Sequence, residues 1–246
     1  MVLSHQRGGY YRDLVSDVGG AAANQVWTVV VAGGGGQRFG GFKQYERLGP
    51  TRVIDVAVTA ARTASDGVVV VVPAADAEAE GAVAGGRTRS ESVRAGLGAV
   101  PPDAGIICVH DAARPLATRA LFTAVIDAVR AGADGAVPGV PVADTIKLVD
   151  EAGRVVATPD RDRLVAVQTP QAFRGDVLRR AHASGREGTD DAALVEALGG
   201  IVVTVPGESA NAKITSREDL ERARAWYAER HGDSDPAGPG AARGAA

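Results

Sequence analysis

The sequence is poor in cysteine and in aromatic residues, and it contains no long apolar run. Cys108 is the single cysteine among 246 residues, so no disulfide can form within the chain and a reducing compartment fits best. Aromatic residues make up 4% of the chain, so its core must be built mainly from Val, Ala and Leu. No apolar run approaches the length of a membrane span, and residues 1–25 lack the apolar centre of a secretory signal. We therefore expect a cytoplasmic protein with no membrane partner.

The net charge limits the classes of partner, and the composition of the two ends limits the extent of the folded domain. A net charge of −3 gives no reason to expect nucleic acid as a partner, so any affinity for phosphates must come from a local site. Residues 1–25 are predicted to be a flexible polar extension, and residues 231–246, rich in Gly, Ala and Pro, a disordered tail. One folded domain is expected between them, over residues 26–230.

Runs of β-branched residues alternate with helix-like stretches through most of this domain. Val26–Val31, Val68–Val72 and Ile106–Val109 are typical of buried strands. The alternation predicts an α/β fold with a mostly parallel sheet and helices on both sides, in which ligands bind beyond the carboxyl ends of the strands. Between about residues 140 and 172, two extended segments joined by Asp150-Glu-Ala-Gly153 predict a β-hairpin arm outside the sheet.

A glycine-rich segment, Ala32-Gly-Gly-Gly-Gly-Gln-Arg-Phe-Gly-Gly-Phe-Lys43, directly follows the first predicted strand. Its backbone N–H groups are not obstructed by Cβ atoms and predict a concave anion site, with Arg38 and Lys43 placed to neutralise phosphate charge. The spacing excludes the dinucleotide fingerprint, whose third glycine would fall at Arg38 or Phe39, and the Gly-Lys-Ser/Thr of a Walker loop is missing. A flexible surface turn is the alternative interpretation.

Together with His110-Asp-Ala-Ala-Arg-Pro115, this segment resembles the 2-C-methyl-D-erythritol 4-phosphate cytidylyltransferases. Further motifs follow in that family's order over about residues 26–226: GGRTRSESV at 85–93, PVADTIK at 141–147, QTPQAF at 168–173, TDD at 189–191 and NAKIT at 211–215. Two features depart from the family pattern, because Phe42 replaces a proline and the interval from Arg38 to Lys43 is short. The ribitol-5-phosphate cytidylyltransferases share most of these motifs. Another polyol phosphate as substrate, or a catalytically weak CTP-binding homologue, therefore stays an alternative.

The resemblance implies a Rossmann-like nucleotidyltransferase fold, similar to glycosyltransferase-A, and a reaction in which a polyol phosphate attacks the α-phosphorus of CTP and pyrophosphate leaves. It also implies Mg²⁺ as cofactor and a CDP-polyol of isoprenoid precursor synthesis as product. The positions that match the family's charge-neutralising catalytic groups are Arg38, Lys43, Arg161 and Lys213. The positions that match its CTP-binding residues are Ala32, Gly33, Gly34, Gly35, Gly36, Gly86, Ser92, Asp111 and Ala112, and Asp111 is also the expected metal ligand.

The resemblance further implies a second group of residues, which would bind the polyol phosphate. In the family, an arm of the kind predicted here reaches across a homodimer, so Thr145 and Arg161 would serve the site of the partner subunit. The positions that match the family's substrate-binding residues are Arg114, Thr145, Arg161, Thr169 and Lys213.

Plainer interpretations of several residues stay open from the residues alone. Asp111 and Arg114 could form a salt bridge at the end of a strand. Ser92 could be an ordinary helix cap. Asp190 and Asp191 could serve only the start of a helix, where the helix dipole favours carboxylates.

Overall fold

The structure, a computed structural model, describes Tyr11, residues 24–34 and residues 39–231. The strands within these residues are β1 (Val26–Val31), β2 (Arg47–Leu48), β3 (Thr51–Arg52), β4 (Gly67–Val72), β5 (Val83–Ala84), β6 (Ile106–Asp111), β7 (Gly135–Pro141), β8 (Leu148–Val149), β9 (Val155–Ala157), β10 (Val165–Val167), β11 (Gln171–Arg174) and β12 (Val202–Pro206). The helices are α1 (Val53–Arg62), α2 (Ala77–Glu80), α3 (Arg89–Ala99), α4 (Arg119–Arg130), α5 (Gly175–Ala183), α6 (Asp191–Glu196) and α7 (Arg217–His231). Short 3₁₀ turns lie at Lys43–Tyr45 and Arg161–Arg163.

Eight of the described strands form one sheet, in the order β10-β7-β11-β6-β1-β4-β5, with β12 paired to β7. Strand β1 pairs in parallel with both β4 and β6, and β12 pairs in parallel with β7. Strands β10 and β11 run antiparallel to their neighbours. The predicted α/β fold with a mostly parallel sheet is therefore confirmed, with two antiparallel strands inserted beside β7.

Helices cover both faces of the sheet, because successive residues of the central strands alternate between two apolar clusters. Val29 and Val71 belong to one cluster, together with side chains of α3, α5 and α6. Val30 and Val70 belong to the other, together with side chains of α1 and α4. All six residues of β4 are buried, and the burial of each valine side chain contributes about 2 kcal/mol. Aliphatic packing of this kind replaces the aromatic core that the composition excludes.

A third apolar cluster connects α7 to the segments around the carboxyl edge of the sheet. Leu220 of α7 belongs to this cluster, as do Ile214 and Phe39, which lies within the glycine-rich segment. A capping box starts α7, because Asp219 N donates to Ser216 Oγ at 3.2 Å and Ser216 N donates to Asp219 Oδ2 at 2.9 Å. The helix therefore fixes the segment that precedes it against the rest of the domain.

The hairpin predicted around Asp150-Glu-Ala-Gly153 is present and lies outside the main sheet. Residues 142–164 separate β7 from β10, and within them β8 and β9 pair antiparallel with each other. Gly153 has φ of +76°, a left-handed conformation that glycine adopts without steric cost. The hairpin strands carry large apolar side chains that are each more than half exposed: Leu148, Val149, Val155 and Val156.

The extension and the tail predicted at the two ends lie largely outside the described residues. Tyr11 is described, and it is buried, with its hydroxyl donating to Asp55 Oδ1 at 2.6 Å. Within the described ranges, no helix is long and apolar enough to cross a membrane.

Candidate active site

A cleft of about 240 Å³ opens at the carboxyl ends of β1 and β6. These strands are parallel neighbours with Val31 opposite Asp111, so the segments that follow them leave the sheet side by side. Ligands bind at this position in parallel α/β sheets. The described residues that line the cleft are Val31, Ala32, Gly33, Gly34, Lys43, Gln44, Arg87, Thr88, Arg89, Ser92, Asp111, Ala112, Ala113 and Lys213.

The glycine-rich segment approaches α3 so closely that a side chain would not fit at its start. A Cβ atom added at Gly33 would lie 2.9 Å from Ser92 Oγ, and one added at Gly85 would lie 3.0 Å from the same oxygen. The buried Ser92 hydroxyl donates to Thr88 O at 2.9 Å and accepts from Gly86 N at 3.2 Å. Ser92 therefore joins the two glycine-containing turns at one wall of the cleft.

The cap of α3 is Thr88, so the interpretation of Ser92 as an ordinary helix cap is wrong. Thr88 Oγ1 accepts from Glu91 N at 3.1 Å, and Glu91 Oε2 accepts from Thr88 N at 3.4 Å. The same carboxylate oxygen accepts from Arg87 N at 2.6 Å. This capping box orders the turn before α3, and it leaves the Ser92 side chain for the cleft wall.

Asp111 is the carboxylate of the cleft, and two cations hold it. Its Oδ1 accepts from Arg89 Nε at 3.1 Å, and its Oδ2 accepts from Lys213 Nζ at 2.6 Å. Burial alone would raise the pKa of Asp111, but the charges of Arg89 and Lys213 outweigh it and hold the pKa well below its ordinary value. Asp111 is therefore ionised near neutral pH.

A buried chain of hydrogen bonds supports Asp111 from behind. The Asp111 backbone N–H donates to Thr169 Oγ1 at 3.0 Å, and Thr169 Oγ1 lies 3.2 Å from His110 Nδ1. His110 Nε2 lies 3.1 Å from Arg114 O, and it must donate because a carbonyl only accepts. Burial lowers the pKa of His110 to about 4, so the ring is neutral at pH 7 and its Nδ1 accepts the Thr169 hydroxyl hydrogen.

Arg114 does not pair with Asp111 in the described structure, so the strand-end salt bridge is a wrong alternative. Its Nη1 donates to Asn211 O at 2.8 Å, and its Nη2 donates to Val167 O at 3.3 Å. Burial lowers the pKa of the Arg114 guanidinium. Asn211 in turn donates through Nδ2 to Thr169 O at 2.9 Å. Arg114 and Asn211 therefore hold the segment before α7 against the segment before β11.

Lys43 and Lys213 come from distant parts of the chain and meet at the cleft. Lys43 Nζ donates to the backbone oxygen of Ile214, the residue after Lys213, at 2.7 Å. Ile214 N donates to Ala113 O at 2.8 Å, which ties the same segment to the end of β6. Lys43 therefore lies in the cleft lining despite the short interval from Arg38 to Lys43 in the sequence. Phe42, which precedes it, is exposed.

The charges of the cleft favour an anionic ligand. Among its described lining residues, Lys43, Arg87, Arg89 and Lys213 are basic, and Asp111 is the one acidic residue. This local excess of positive charge contrasts with the net charge of −3 for the whole chain. Gly33 and Gly34 also line the cleft, and backbone N–H groups of such glycines can donate to phosphate oxygens.

The structure brings most of the residues assigned to CTP together. Ala32, Gly33, Gly34, Ser92, Asp111 and Ala112 line the cleft, and Gly86 lies beside Ser92. Lys43 and Lys213, which are predicted to be catalytic, line the same cleft. Gly35, Gly36 and Arg38 lie outside the described residues. Their roles, like those of the lining residues, stay predictions.

The residues assigned to the polyol phosphate are more scattered. Thr169 lies behind Asp111, and Arg114 lies against the segment of Asn211. Thr145 and Arg161 are exposed and do not line the cleft of their own chain. Arg161 Nη1 donates to Ala143 O at 2.8 Å, within the segment that leaves the sheet.

Three residues of this region were not predicted from the sequence: Arg89, Gln44 and Asn211. Arg89 is the first residue of α3, where the helix dipole disfavours a cation. A cation at this position indicates that carboxylate partners stabilise it. Gln44 is 3% exposed and lines the cleft, and Asn211 is fully buried. Neither has a sequence signal of its own, because each is buried only through contacts between segments far apart in the chain.

The donor set of the cleft suits Mg²⁺ bound partly by a substrate. Among the described residues, no three His, Cys, Asp or Glu side chains lie close enough together to hold a metal ion by themselves. Asp111 supplies one carboxylate, whose oxygens have lone pairs beyond those that Arg89 and Lys213 engage. Mg²⁺ commonly binds through one or two carboxylates together with substrate phosphates and water. The residues present therefore fit a magnesium–nucleotide complex.

Comparisons with known proteins agree on one family. The model of the 2-C-methyl-D-erythritol 4-phosphate cytidylyltransferase family, IspD, matches residues 26–229. A relative of that name from Nocardia farcinica is 45% identical over 212 residues, covering 80% of this chain and 92% of the relative. Another, from Streptomyces coelicolor, is 54% identical over 155 residues, covering 60% of this chain and 57% of the relative. The crystal structure of the protein of this name from Thermus thermophilus matches with a TM-score of 0.68 and 32% identity, over 80% of this chain and 96% of that chain.

Proposed function

Because the chain belongs to the 2-C-methyl-D-erythritol 4-phosphate cytidylyltransferase family, we propose that it transfers CMP from CTP to 2-C-methyl-D-erythritol 4-phosphate and releases pyrophosphate. The product is the CDP-polyol of isoprenoid precursor synthesis. The observation that carries the proposal is the cleft, in which four basic side chains, one carboxylate and the backbone of Gly33 and Gly34 line a space of about 240 Å³. A nucleoside triphosphate needs such a concentration of cations and backbone donors.

The reaction requires positioning and charge stabilisation more than a covalent catalyst. A phosphate oxygen of the polyol forms a bond to the α-phosphorus of CTP, and the bond from that phosphorus to the bridging oxygen of pyrophosphate breaks. The nucleophile and the leaving group are both anions, so no general base is needed. Lys43 and Lys213 lie at the cleft, where their charges would stabilise the phosphate oxygens as negative charge moves toward pyrophosphate. Arg38 is predicted to stabilise the same negative charge.

We propose Mg²⁺ as the cofactor, with Asp111 as its protein ligand. The support is the position of this ionised carboxylate at the end of β6, between Arg89 and Lys213. When bound, the ion would neutralise part of the triphosphate charge. The buried Thr169–His110 chain fixes the backbone of Asp111, so the carboxylate is held in place before substrates arrive.

We propose that the enzyme is a cytoplasmic homodimer whose arm contributes Thr145 and Arg161 to the partner's site. The exposed apolar side chains of β8 and β9 support this proposal, since isolated two-stranded hairpins need further packing for stability. The exposure of Arg161, away from its own cleft, agrees with a role in the partner's site. The single, buried cysteine suits a reducing compartment.

The substrate assignment is tested by a panel of acceptors. The purified protein is incubated with CTP and Mg²⁺ and with 2-C-methyl-D-erythritol 4-phosphate, with ribitol 5-phosphate or with no acceptor, and pyrophosphate release is followed. We expect kcat/KM for the methylerythritol phosphate to be far above that for ribitol 5-phosphate, and pyrophosphate release without an acceptor to be at background. Faster release with ribitol 5-phosphate would reassign the substrate. CTP binding by calorimetry without any release would identify a catalytically inactive homologue.

The site assignment is tested by a matched pair of charge deletions. Lys213→Ala removes a cation of the cleft and should lower kcat by about 100-fold to 1000-fold, because the charge acts on the transition state. Arg130→Ala removes an exposed cation of α4, which pairs with Asp127, and should leave kcat within about twofold. Equal rates for the two variants would show that the reaction does not take place in this cleft.

A further inference from the structure

Asp191, at the start of α6, is a buried carboxylate outside the cleft that is connected to Asp111 through one guanidinium. Its Oδ2 pairs with Arg89 Nη1 at 2.8 Å, and the Nε of the same arginine reaches Asp111 Oδ1 at 3.1 Å. Its Oδ1 lies 2.9 Å from His182 Nε2. The Asp191 side chain is 1% exposed and that of His182 is 2% exposed.

The start of a helix does not require such a buried charge. The cap of α6 is the neighbouring Asp190, whose Oδ1 accepts from Ala193 N at 2.9 Å. An exposed carboxylate in the first turn would interact with the helix dipole equally well. Burying an ionised carboxylate costs several kcal/mol unless its partners compensate, so the position of Asp191 is explained by Arg89 and His182.

The guanidinium of Arg89 is planar, so its contact with Asp191 restricts the orientation in which it meets Asp111. Its Nε donates a hydrogen bond to Asp111 of β6, while its Nη1 forms an ion pair with Asp191 of α6, so the guanidinium is held between the two elements. Burial opposes the charged form of Arg89, but the charges of Asp191 and Asp111 outweigh this and raise its pKa. Its Nη2 is buried without a hydrogen-bond partner among the described residues, and the side chain lines the cleft.

We propose that Asp191 is a positioning residue, which holds Arg89 so that Asp111 stays shared between Arg89 and Lys213 and keeps its orientation toward the cleft. The inference rests on the proposed function for its catalytic consequence. Without the charge of Asp191, Arg89 turns one edge of its guanidinium fully to Asp111 and forms a bidentate pair with it. Asp111 is then drawn away from Lys213 and from the nucleotide, so both CTP binding and turnover weaken.

The test uses Asp191→Asn, which removes the charge at nearly constant shape, and Asp190→Asn as the matched control on the adjacent residue. We expect Asp191→Asn to lower kcat/KM for CTP by about tenfold or more and to weaken the calorimetric Kd for CTP, with Asp190→Asn within about twofold of the wild type. A double-mutant cycle with Arg89→Gln distinguishes a positioning role of Asp191 from an effect on the packing of α6. In the Arg89→Gln background, Asp191→Asn should change kcat/KM and Kd no further, because the connection to Asp111 is already cut.

A loss of similar size in both backgrounds would overturn the proposal, since Asp191 would then act through the packing of α6. Unchanged kcat/KM and Kd for Asp191→Asn would also overturn it. If Asp191→Asn does not fold, Arg89→Lys takes its place, because one ammonium retains the charge but cannot hold both carboxylates. Wild-type kcat/KM and Kd for that variant would refute the proposal, and a loss of both supports it. A wild type that binds CTP without turnover would refute the proposed function, while the Kd values would still decide the role of Asp191.

Discussion

His110 gives a prediction about stability whose size follows from its burial. The ring is fully buried, its pKa in the folded protein is about 4, and the reference pKa of histidine is 6.5. As pH falls below 6.5, the unfolded chain binds a proton at this residue while the folded protein does not, so protons favour unfolding until about pH 4. The difference between the two pKa values corresponds to about 3 kcal/mol of unfolding free energy.

The measurement compares the wild type with His110→Gln, which keeps a donor for the Arg114 carbonyl but does not titrate. Urea unfolding is followed by the fluorescence of the two tryptophans at several pH values from 7.5 to 4. The wild type should lose about 3 kcal/mol more than the variant over this range, with most of the loss below pH 6.5. Parallel curves for the two proteins would instead mean that His110 accepts a proton in the folded state as readily as in the unfolded chain.

Three further predictions concern packing, the cleft and the arm. Gly67→Ala places a Cβ 2.5 Å from the Trp27 ring and should lower the unfolding free energy by about 1–3 kcal/mol in urea titrations. In Gly98→Ala the added Cβ has no atom within 4 Å, so this variant should be neutral or stabilising. Equal effects of the two would contradict this packing. Lys43→Ala should lower kcat by about 100-fold or more with little change in melting temperature, and a near-normal kcat would place Lys43 outside the reaction. Leu148→Asp should shift the sedimentation of the protein from dimer toward monomer, and an unchanged profile would exclude this face from the interface.

The central strands were predictable because their sequences are unambiguous. The valine run of β4 and the apolar run of β1 contain no residue that disfavours a strand, and each of these strands is paired on both sides. Strand β7 was not predictable, since its sequence GAVPGVP has two glycines and two prolines, which strands usually avoid. Gly135 is explained only by the fold, because a Cβ there would lie 2.5 Å from the Phe173 ring of β11.

The candidate site was predictable to the extent that single residues carry signals. Asp111 lies two residues after the buried run Ile106–Val109, and this position at a strand end predicts the carboxyl edge of the sheet. The partners of Asp111 were not predictable in the same way. Arg89 and Lys213 lie 22 and 102 residues from it in the chain, and their contacts depend on how α3 and the segment before α7 pack. Periodicity and spacing do not encode such contacts.

Whether this cleft transfers CMP is tested by following the α-phosphate of CTP into the products. The protein is incubated with CTP labelled on the α-phosphorus, Mg²⁺ and 2-C-methyl-D-erythritol 4-phosphate, and the products are separated. We predict that the label appears in the CDP-polyol in a one-to-one ratio to pyrophosphate, and that Lys213→Ala abolishes most of it. Label that stays in CTP, or that appears as free CMP whether or not the acceptor is present, would exclude CMP transfer to the polyol phosphate.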